Sequence, residues 1–472
     1  MRPYFYTISR CRFLTAIAVS LMLAGCAKGL IGGDNTVLRP DIIKYNGTTD
    51  KPKPPAKEVC PEPERTGQPA GEQEKLQPPG ERCPHVEQKL LPQELPPRTP
   101  EQLMPIPPPA PPKTLDNPRS GLVDPSRRLA VGAQPDFFYR DAVLTEDMAW
   151  RGEVRITGVV TVAPQSTLTI EPGTTVRFGD KGDNTGQDAF LLVYGRVVAI
   201  GTGEKPVLFT SRFAQPMAGD WLGIAVMGSE KKNLLENCRL EGAETGLAAA
   251  YSTITLKNVQ FSRCGTGARL RDTVVFATGG GASGCIMGLS LTDSEAEIRD
   301  AGISGNRQGI VAAGSSLYVA GGTFSRNDLD ALKITGSRVK IAGGNITVNG
   351  AGLAILSSQG SVSGAKISGN SGYGILLSDS RVKVYGNEIT GNRGAGMKVE
   401  DGKGVAWGNS IFANGEYDFV NDGIDEFWAA GNWWGATDPS DVGKRIYDRQ
   451  TDNGRGRVFF TPNLAGNPLA LL

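Results

Sequence analysis

Basic and aromatic side chains recur at two fixed positions of a repeat in the second half of this 472-residue chain. Such side chains could hold an anionic sugar polymer, because cations pair with carboxylates and aromatic faces stack on sugar rings. An ordinary solvated surface also mixes charges in this way, and the sequence favours that plainer interpretation. The candidate ligand-binding residues are Arg299, Tyr318, Lys340, Lys383, Tyr385 and Trp407.

The chain lacks the residues that most catalytic mechanisms and metal sites need. The chain has one histidine, His85, which argues against Ser-His-Asp triads, Cys-His pairs and histidine-rich metal sites. A paired-carboxylate mechanism has no candidate pair on the basic face, and catalytic residues stay unknown. We predict no metal and no cofactor. The nearest acids, which look like turn and cap-loop residues, are Asp328, Asp330, Asp418, Asp422 and Asp425.

One further acidic segment is the loop "GDKGDNTGQD" at 179–188. Its oxygen-rich side chains are Asp180, Asp183, Asn184 and Asp188. Calcium is one occupant for such a loop, but the spacing does not match the EF-hand pattern. We favour a polar turn insertion.

The candidate residues take their positions from a repeat of 21 or 22 residues. One apolar residue anchors each unit, and a second apolar residue stands five places before it. The candidates lie six or four places before the anchors, where strand alternation points side chains outward. The two ladders, with no proline between Pro216 and Pro439, indicate a solenoid of short strands. The anchors are Leu240, Phe261, Ala282, Ile303, Phe324, Ile346, Ile367, Ile389, Ile411 and Trp433.

Asparagine stands three places after most anchors, as in the repeated "ISGN" at 303–306 and 367–370. Asparagine tolerates left-handed backbone and bonds to local backbone groups, so it suits a tight bend between strands. Stacked in successive coils, the amides could also pair with one another. We therefore predict a structural ladder of Asn306, Asn327, Asn349, Asn370, Asn392 and Asn414.

The period alone leaves leucine-rich repeats as a rival architecture. Those repeats need leucine-dense units with a helical return, whereas this chain has short alternating runs such as "RVKVYGNEI". We predict an all-β fold, a single-stranded parallel β-helix at 136–435, with three short strands in each coil. A cap and tail occupy 436–472, because terminal coils expose core and unpaired strand edges.

The N-terminus has the pattern of an export signal at 1–25, in which a basic stretch precedes a short apolar run. The run ends in "LAGC", which resembles the lipobox of bacterial lipoproteins. That resemblance implies lipidation at Cys26, attachment to the membrane through this N-terminal lipid and, from Ala27, sorting to the outer membrane. An ordinary signal with an incidental cysteine is the alternative.

A proline-rich segment follows the signal. Twenty-one of the 31 prolines lie between Pro52 and Pro125, among charged and amide residues. Such a composition buries too little apolar surface to fold and favours extended polyproline II. We predict a disordered tether at 26–135.

Several further segments carry a family resemblance: "TLTIEPGTTVRF", "GRVVAIGT", "PVLFTS", "GDWLGI" and the closing "GNWWGATDP" and "GRVFFTPNL". With the "GN" coils they resemble bacterial right-handed parallel β-helix proteins of the pectin-lyase-like superfamily. The resemblance covers roughly 150–465 and implies a right-handed helix with its cap near Trp433 to Pro462. It implies little about function, because the superfamily contains lyases, hydrolases, epimerases, adhesins and structural proteins.

Five cysteines remain after signal removal and lipidation: Cys60, Cys83, Cys238, Cys264 and Cys285. Cys60 and Cys83 could form a disulfide under oxidising export conditions. Cys264 and Cys285 occupy the same position in neighbouring coils, where a disulfide is possible but stacked thiols are favoured.

Two functions from different classes stay open. The favoured one is a non-catalytic outer-membrane lipoprotein, periplasmic or surface-exposed, that binds a polysaccharide or an envelope protein or acts structurally. The alternative is a polysaccharide-active enzyme (lyase, hydrolase or epimerase) that uses the basic-aromatic face. Balanced charges, with 50 Lys and Arg against 49 Asp and Glu, give no reason to expect a nucleic-acid partner.

Overall fold

The computed structural model describes residues 134–179 and 189–470. The signal peptide, almost all of the tether and the side chains of Cys26, Cys60, Cys83 and His85 lie outside those residues. So do the four oxygen-bearing residues singled out in the 179–188 loop. No helix within the two described segments is long and apolar enough to cross a membrane.

The described chain winds into coils, and all strand pairings between successive coils are parallel. Each coil contributes strands to three ladders, named sheet 1, sheet 2 and sheet 3 in the order in which a coil visits them. The predicted right-handed, single-stranded parallel β-helix is confirmed. Sheet 1 contains Met148–Trp150, Thr167–Ile170, Arg196–Ile200, Lys232–Glu236, Thr253–Lys257, Val274–Thr278, Glu295–Arg299, Ser316–Ala320, Arg338–Ala342, Gln359–Ser363, Arg381–Tyr385, Val405–Trp407, Phe427–Trp428 and Val458–Phe459.

Sheets 2 and 3 are joined at the first coils by two long strands, Phe137–Leu144 and Glu153–Val162, which run through both ladders. Sheet 2 continues with Thr175–Phe178, Val207–Ser211, Cys238–Glu241, Gln260–Ser262, Gly281–Ser283, Gly302–Ser304, Thr323–Ser325, Asn345–Thr347, Lys366–Ser368, Glu388–Thr390 and Ser410–Phe412. Sheet 3 continues with Phe190–Val193, Trp221–Met227, Ala243–Ala250, Thr266–Arg271, Met287–Thr292, Gln308–Ala313, Asp330–Thr335, Ala351–Leu356, Ile375–Ser378, Met397–Glu400, Phe419–Asn421 and Ile446–Tyr447.

The core fills the space between the three sheets with the anchor residues of successive coils. Sheet 2 pairs each anchor with the next, as in Ile303 with Phe324 and Phe324 with Ile346, and all three are buried. In the last coil the predicted anchor Trp433 is wrong. The step from Val405 to its sheet 1 partner Trp428 is one residue longer than the preceding step, so Trp434 is the buried residue.

The C-terminal segment continues the sheets past the predicted boundary at 435. Ile446–Tyr447 extends sheet 3, and Val458–Phe459 extends sheet 1. Between the last coils lies one short helix, α1, at Pro439–Gly443. The Asp438 side chain caps it by accepting a hydrogen bond from the Ser440 amide at 2.8 Å.

The asparagine side chains form a buried ladder at the bend between sheets 2 and 3. Each Nδ2 donates to the Oδ1 of the next coil's asparagine, as from Asn327 to Asn349 at 2.9 Å and from Asn349 to Asn370 at 3.1 Å. The last rung, Asn414, donates to the Asp418 carboxylate at 2.9 Å. That carboxylate also accepts a hydrogen bond from Nε of Arg445 at 3.2 Å. The ladder therefore ends on a carboxylate whose charge is paired with an arginine.

The predicted reason for asparagine at this bend needs one correction. The left-handed residue is the one before each asparagine, for example Gly305 with φ 64° and Val348 with φ 58°. The asparagine itself supplies hydrogen bonds, because its Oδ1 accepts from the preceding rung's backbone amide and its Nδ2 donates to a sheet 2 carbonyl. For Asn349 these partners are the Asn327 amide and the Phe324 carbonyl, at 3.1 and 2.9 Å.

A second asparagine ladder, at the bend between sheets 1 and 2, was not predicted. Asn387 donates to Asn409 at 2.9 Å, and Asn409 donates to Asn432 at 2.8 Å. The sequence signal was the repeated "GN" at 386–387, 408–409 and 431–432, in which the glycine again adopts the left-handed backbone.

The three cysteines in the described residues are buried free thiols. Cys264 and Cys285 stack in successive coils, and the Cys264 amide donates to Sγ of Cys285 at 3.4 Å. The structure therefore contains the favoured stacked thiols at these positions and not the alternative disulfide. A hydrogen bond with Cys285, together with burial, raises the pKa of Cys264. Burial raises the pKa of Cys238 to about 12.

Candidate functional site

All six predicted face residues lie on the outer surface of sheet 1. Alternation along each strand turns every second side chain outward, and parallel pairing stacks the outward residues into columns. Two neighbouring columns hold the six. The first runs through Tyr318, Lys340, Ser361 and Lys383. The second runs from Arg299 through two alanines and Ser363 to Tyr385 and Trp407.

A third outward column contains two arginines that the sequence interpretation missed. Arg338, Gln359 and Arg381 are paired in register and exposed. Each arginine stands two places before a predicted lysine, so both strands start from the same letters, "SRVK", at 337–340 and 380–383. That exact repeat, two coils apart, was the available signal.

The four cations Arg338, Lys340, Arg381 and Lys383 are exposed and lie close together without carboxylate partners. Within 134–179 and 189–470, none of them has a carboxylate oxygen within 4.0 Å. Arg299 differs, because it pairs with Glu297, and the hydrogen bond between them raises the pKa of the guanidinium. Together with the neighbouring Glu295 and Glu297, the four cations leave this patch of sheet 1 with a net positive charge, although the whole chain is nearly neutral.

Aromatic rings flank the cations on both sides. Tyr318 lies beneath two cations, with Nζ of Lys340 at 5.2 Å and Cζ of Arg299 at 5.1 Å from its ring centroid. Toward the C-terminal coils, Tyr385 and Trp407 stack at 4.9 Å with a 10° interplanar angle. The outward rings form flat surfaces that suit the faces of sugar rings.

Trp428 extends the aromatic surface and corrects a prediction. Trp428 stands five places before the predicted anchor Trp433, so the second apolar ladder predicts it to be buried, but the longer last coil turns it outward, and 57% of it is exposed. Its ring stacks on Phe459 at 4.4 Å. Phe427 takes the buried position instead.

Two connected grooves follow these columns. The first, of about 570 Å³, lies over Tyr318, Lys340 and Lys383. The second, of about 770 Å³, follows the bend between sheets 3 and 1 and carries acids on its far wall, including Asp379 and Asp401. Both include Arg338, Gln359 and Arg381. The site is thus a long open cleft with cations on its floor and carboxylates along one side.

Of the acids predicted from the sequence, Asp425 lines the second groove, whereas Asp330 and Asp422 lie elsewhere and make contacts within the protein. Asp330 is on sheet 3, where it accepts a hydrogen bond from the Tyr373 hydroxyl at 2.6 Å. Burial is the main cause of a raised pKa at Tyr373, and this hydrogen bond is the second, so the hydroxyl stays protonated. Asp422 pairs with Lys398 and Arg455 at 3.1 and 2.8 Å. Across the two described segments, no group of three or more His, Cys, Asp or Glu residues could hold a metal ion.

Comparisons with known proteins agree with the fold. A family model described as a right handed beta helix region matches residues 287–432, and one described as a pectate-lyase like beta helix domain matches 142–257. Among curated protein sequences, none matches this chain.

Solved structures with similar coils include a double mutant of the periplasmic alginate epimerase AlgG. It is 14% identical, with 61% of this chain and 78% of that chain covered and a TM-score of 0.43. Another is the A-module of the mannuronan C-5 epimerase AlgE6 from Azotobacter vinelandii, 14% identical, with 63% and 89% covered and a TM-score of 0.34. These likenesses concern the fold alone. With two family models matching successive parts of one continuous solenoid, the chain is a pectin-lyase-like, right-handed parallel β-helix protein.

Proposed function

We propose that the outer surface of sheet 1 binds an anionic polysaccharide. The observation that carries the proposal is a set of four exposed cations that have no carboxylate partner among residues 134–179 and 189–470 and lie among outward aromatic rings in one cleft. Cations that are not paired within the protein are available to pair with carboxylates of a ligand. The aromatic rings add contact with the apolar faces of sugars, which bare charge would not provide.

The cleft is open along the solenoid axis, which suits a polymer better than a small molecule. Small-molecule sites are concave and bury most of their ligand, whereas this surface spans many strands of sheet 1. The acids of the far wall, such as Asp379 and Asp401, can accept hydrogen bonds from sugar hydroxyls. Charge pairing on one side and hydroxyl recognition on the other together describe an acidic polysaccharide.

Binding to polygalacturonate tests the proposal, with neutral dextran as the comparison. We expect the chain to bind polygalacturonate and not dextran, and its affinity to fall as salt rises, because exposed charges are screened. Removing Trp407 by Trp407→Ala should weaken binding several-fold by removing stacking area. Isothermal titration calorimetry at two salt concentrations measures both effects.

The matched control is Tyr251→Ala, which removes an aromatic residue that is exposed but lies outside the columns described above. Equal binding of dextran and polygalacturonate would contradict the proposal. An equal loss of polygalacturonate affinity in Trp407→Ala and Tyr251→Ala would also contradict it. Conversion of the polymer, detected as unsaturated uronate absorbance or a changed uronate epimer ratio, would favour the alternative of a polysaccharide-active enzyme.

We also propose that the chain is anchored to the outer membrane through lipid on Cys26. The support is the "LAGC" sequence at the end of the apolar run. Several acyl chains on one residue give stable anchoring where one chain is marginal. Cys26→Ser should move the protein from the membrane to the soluble fraction and abolish incorporation of labelled palmitate. Unchanged fractionation would refute lipid anchoring.

A further inference from the structure

The repeated "SRVK" strands place four cations at the corners of a rectangle, which we call the cation frame: Arg338, Lys340, Arg381 and Lys383. We propose that the cation frame holds two carboxylates of one acidic polysaccharide chain, one at each "SRVK" strand, and so recognises negative charges one disaccharide apart. This inference rests on the proposed function and specifies the ligand spacing that the same surface selects.

The register fixes the dimensions of the frame. Arg338 pairs with Gln359, and Gln359 pairs with Arg381, so one complete strand separates the two arginines. Lys340 and Lys383 are separated in the same way by Ser361. Two strand spacings give about 9.5 Å between the cationic strands, and two residues along a strand give about 6.6 Å between Arg and Lys.

The strand between the two cationic strands is uncharged. Its outward residues are Gln359, Ser361 and Ser363, which can donate or accept hydrogen bonds but neither attract nor repel a carboxylate strongly. Positive charge on this surface is therefore concentrated at two positions along the solenoid axis. A polyanion that carries its charges at the same interval gains contacts at both positions at once.

Two exposed cations elsewhere on the sheets are instead held by internal carboxylates. On sheet 1, Lys257 pairs with Glu236 at 3.2 Å. On sheet 2, Lys366 pairs with Glu388 at 3.3 Å. Since the four frame cations have no such partner in the described residues, a ligand carboxylate meets each Arg and Lys pair without displacing an internal ion pair. This difference also supplies a matched control.

The ligand chemistry follows from the interval. In a (1→4)-linked polyuronate that adopts a twofold extended conformation, successive sugars turn to opposite edges of the chain, so the first and third sugars present carboxylates on one edge. Their separation is one disaccharide, which is close to two strand spacings of about 4.8 Å each. A trisaccharide is the shortest oligomer able to reach both ends of the frame, whereas a mono- or disaccharide can use only one end.

Calorimetric titration with mono-, di-, tri- and tetragalacturonate tests the inference. We expect the association constant to rise about tenfold or more between the di- and trisaccharide, because the second carboxylate binds intramolecularly. Lys383→Gln should remove most of that step. The same variant should lower disaccharide affinity only about twofold, since one of two similar ends remains. Lys257→Gln should preserve the step.

Several results would overturn the inference. Affinity that rises by a constant factor with each added sugar would reject the spacing, while binding of the polymer itself would leave the proposed function standing. If the rise in association constant between di- and trisaccharide persisted in Lys383→Gln, the assignment of binding to the frame residues would be wrong. No binding of polygalacturonate would reject both proposals. Unchanged thermal unfolding of Lys383→Gln shows that a lost step is not a lost fold, as expected for an exposed side chain.

Discussion

Asn349→Ala is expected to lower the free energy of unfolding by about 3–5 kcal/mol, because it removes a buried side chain that serves several buried groups. Its Oδ1 accepts from both the backbone amide and the Nδ2 of Asn327, at 3.1 and 2.9 Å. Its Nδ2 donates to the Phe324 carbonyl at 2.9 Å and to Asn370 at 3.1 Å. Alanine leaves the Asn327 amide without an acceptor in a site that excludes water.

The matched control is Asn345→Ala in the same coil. Asn345 is exposed at the start of its sheet 2 strand. Its loss should change stability by no more than about 0.5 kcal/mol. Guanidinium unfolding followed by circular dichroism measures both variants in the full chain. Similar unfolding midpoints for the two variants would show that the ladder adds no more stability than an exposed amide.

Gly360→Ala, in the strand that separates the two halves of the cation frame, is expected to lower the free energy of unfolding by about 4 kcal/mol or more. Gly360 lies in the strand between the two "SRVK" strands with φ 150°, where side chains are strained. A Cβ added there would overlap the carbonyl oxygen of Val339 in the neighbouring strand. Because that carbonyl is part of the parallel ladder, relief requires the strands to separate.

Gly336→Ala is the control that separates the cost of backbone strain from the cost of steric overlap. Gly336 has φ 59°, and a Cβ at this position would meet nothing within 4 Å. Its cost should be only the left-handed penalty of about 1–2 kcal/mol. Thermal and guanidinium unfolding compare the two. If Gly360→Ala cost no more than Gly336→Ala, the close approach between these strands would not exist in solution.

The sequence predicted the solenoid well because its repeat carries two independent periodic signals. The anchors pair in register with one another along sheet 2, as Ile303 does with Ala282. The inward residues five places earlier pair in register along sheet 1, as Ile298 does with Val319. The same alternation identified Lys340 and Lys383 as outward. The two arginines of the frame were missed because the prediction covered only the two outward positions next to the inward residue, whereas a strand of five residues has a third outward position.

Other features depended on details that a fixed period cannot supply. The last coil is one residue longer, so the register predicted for Trp428 and Trp433 failed by one place and exchanged inside for outside. The left-handed residue before each ladder asparagine varies from glycine to Val348, so residue type alone does not reveal it. The lack of carboxylate partners at the frame, seen within the part of the chain that the structure describes, depends on the side chains of neighbouring coils, which a repeat period does not specify.

The asparagine ladder has a consequence for how such a chain can change in length. Every internal rung offers the same donor to the coil after it and the same acceptor to the coil before it, as Asn349 does between Asn327 and Asn370. A whole coil gained by duplication, or lost by deletion, joins its new neighbours with no amide left over, whereas a shift of one residue breaks every rung that it touches. The heritable unit of this architecture is therefore the coil, and the interval between the two "SRVK" strands is counted in coils.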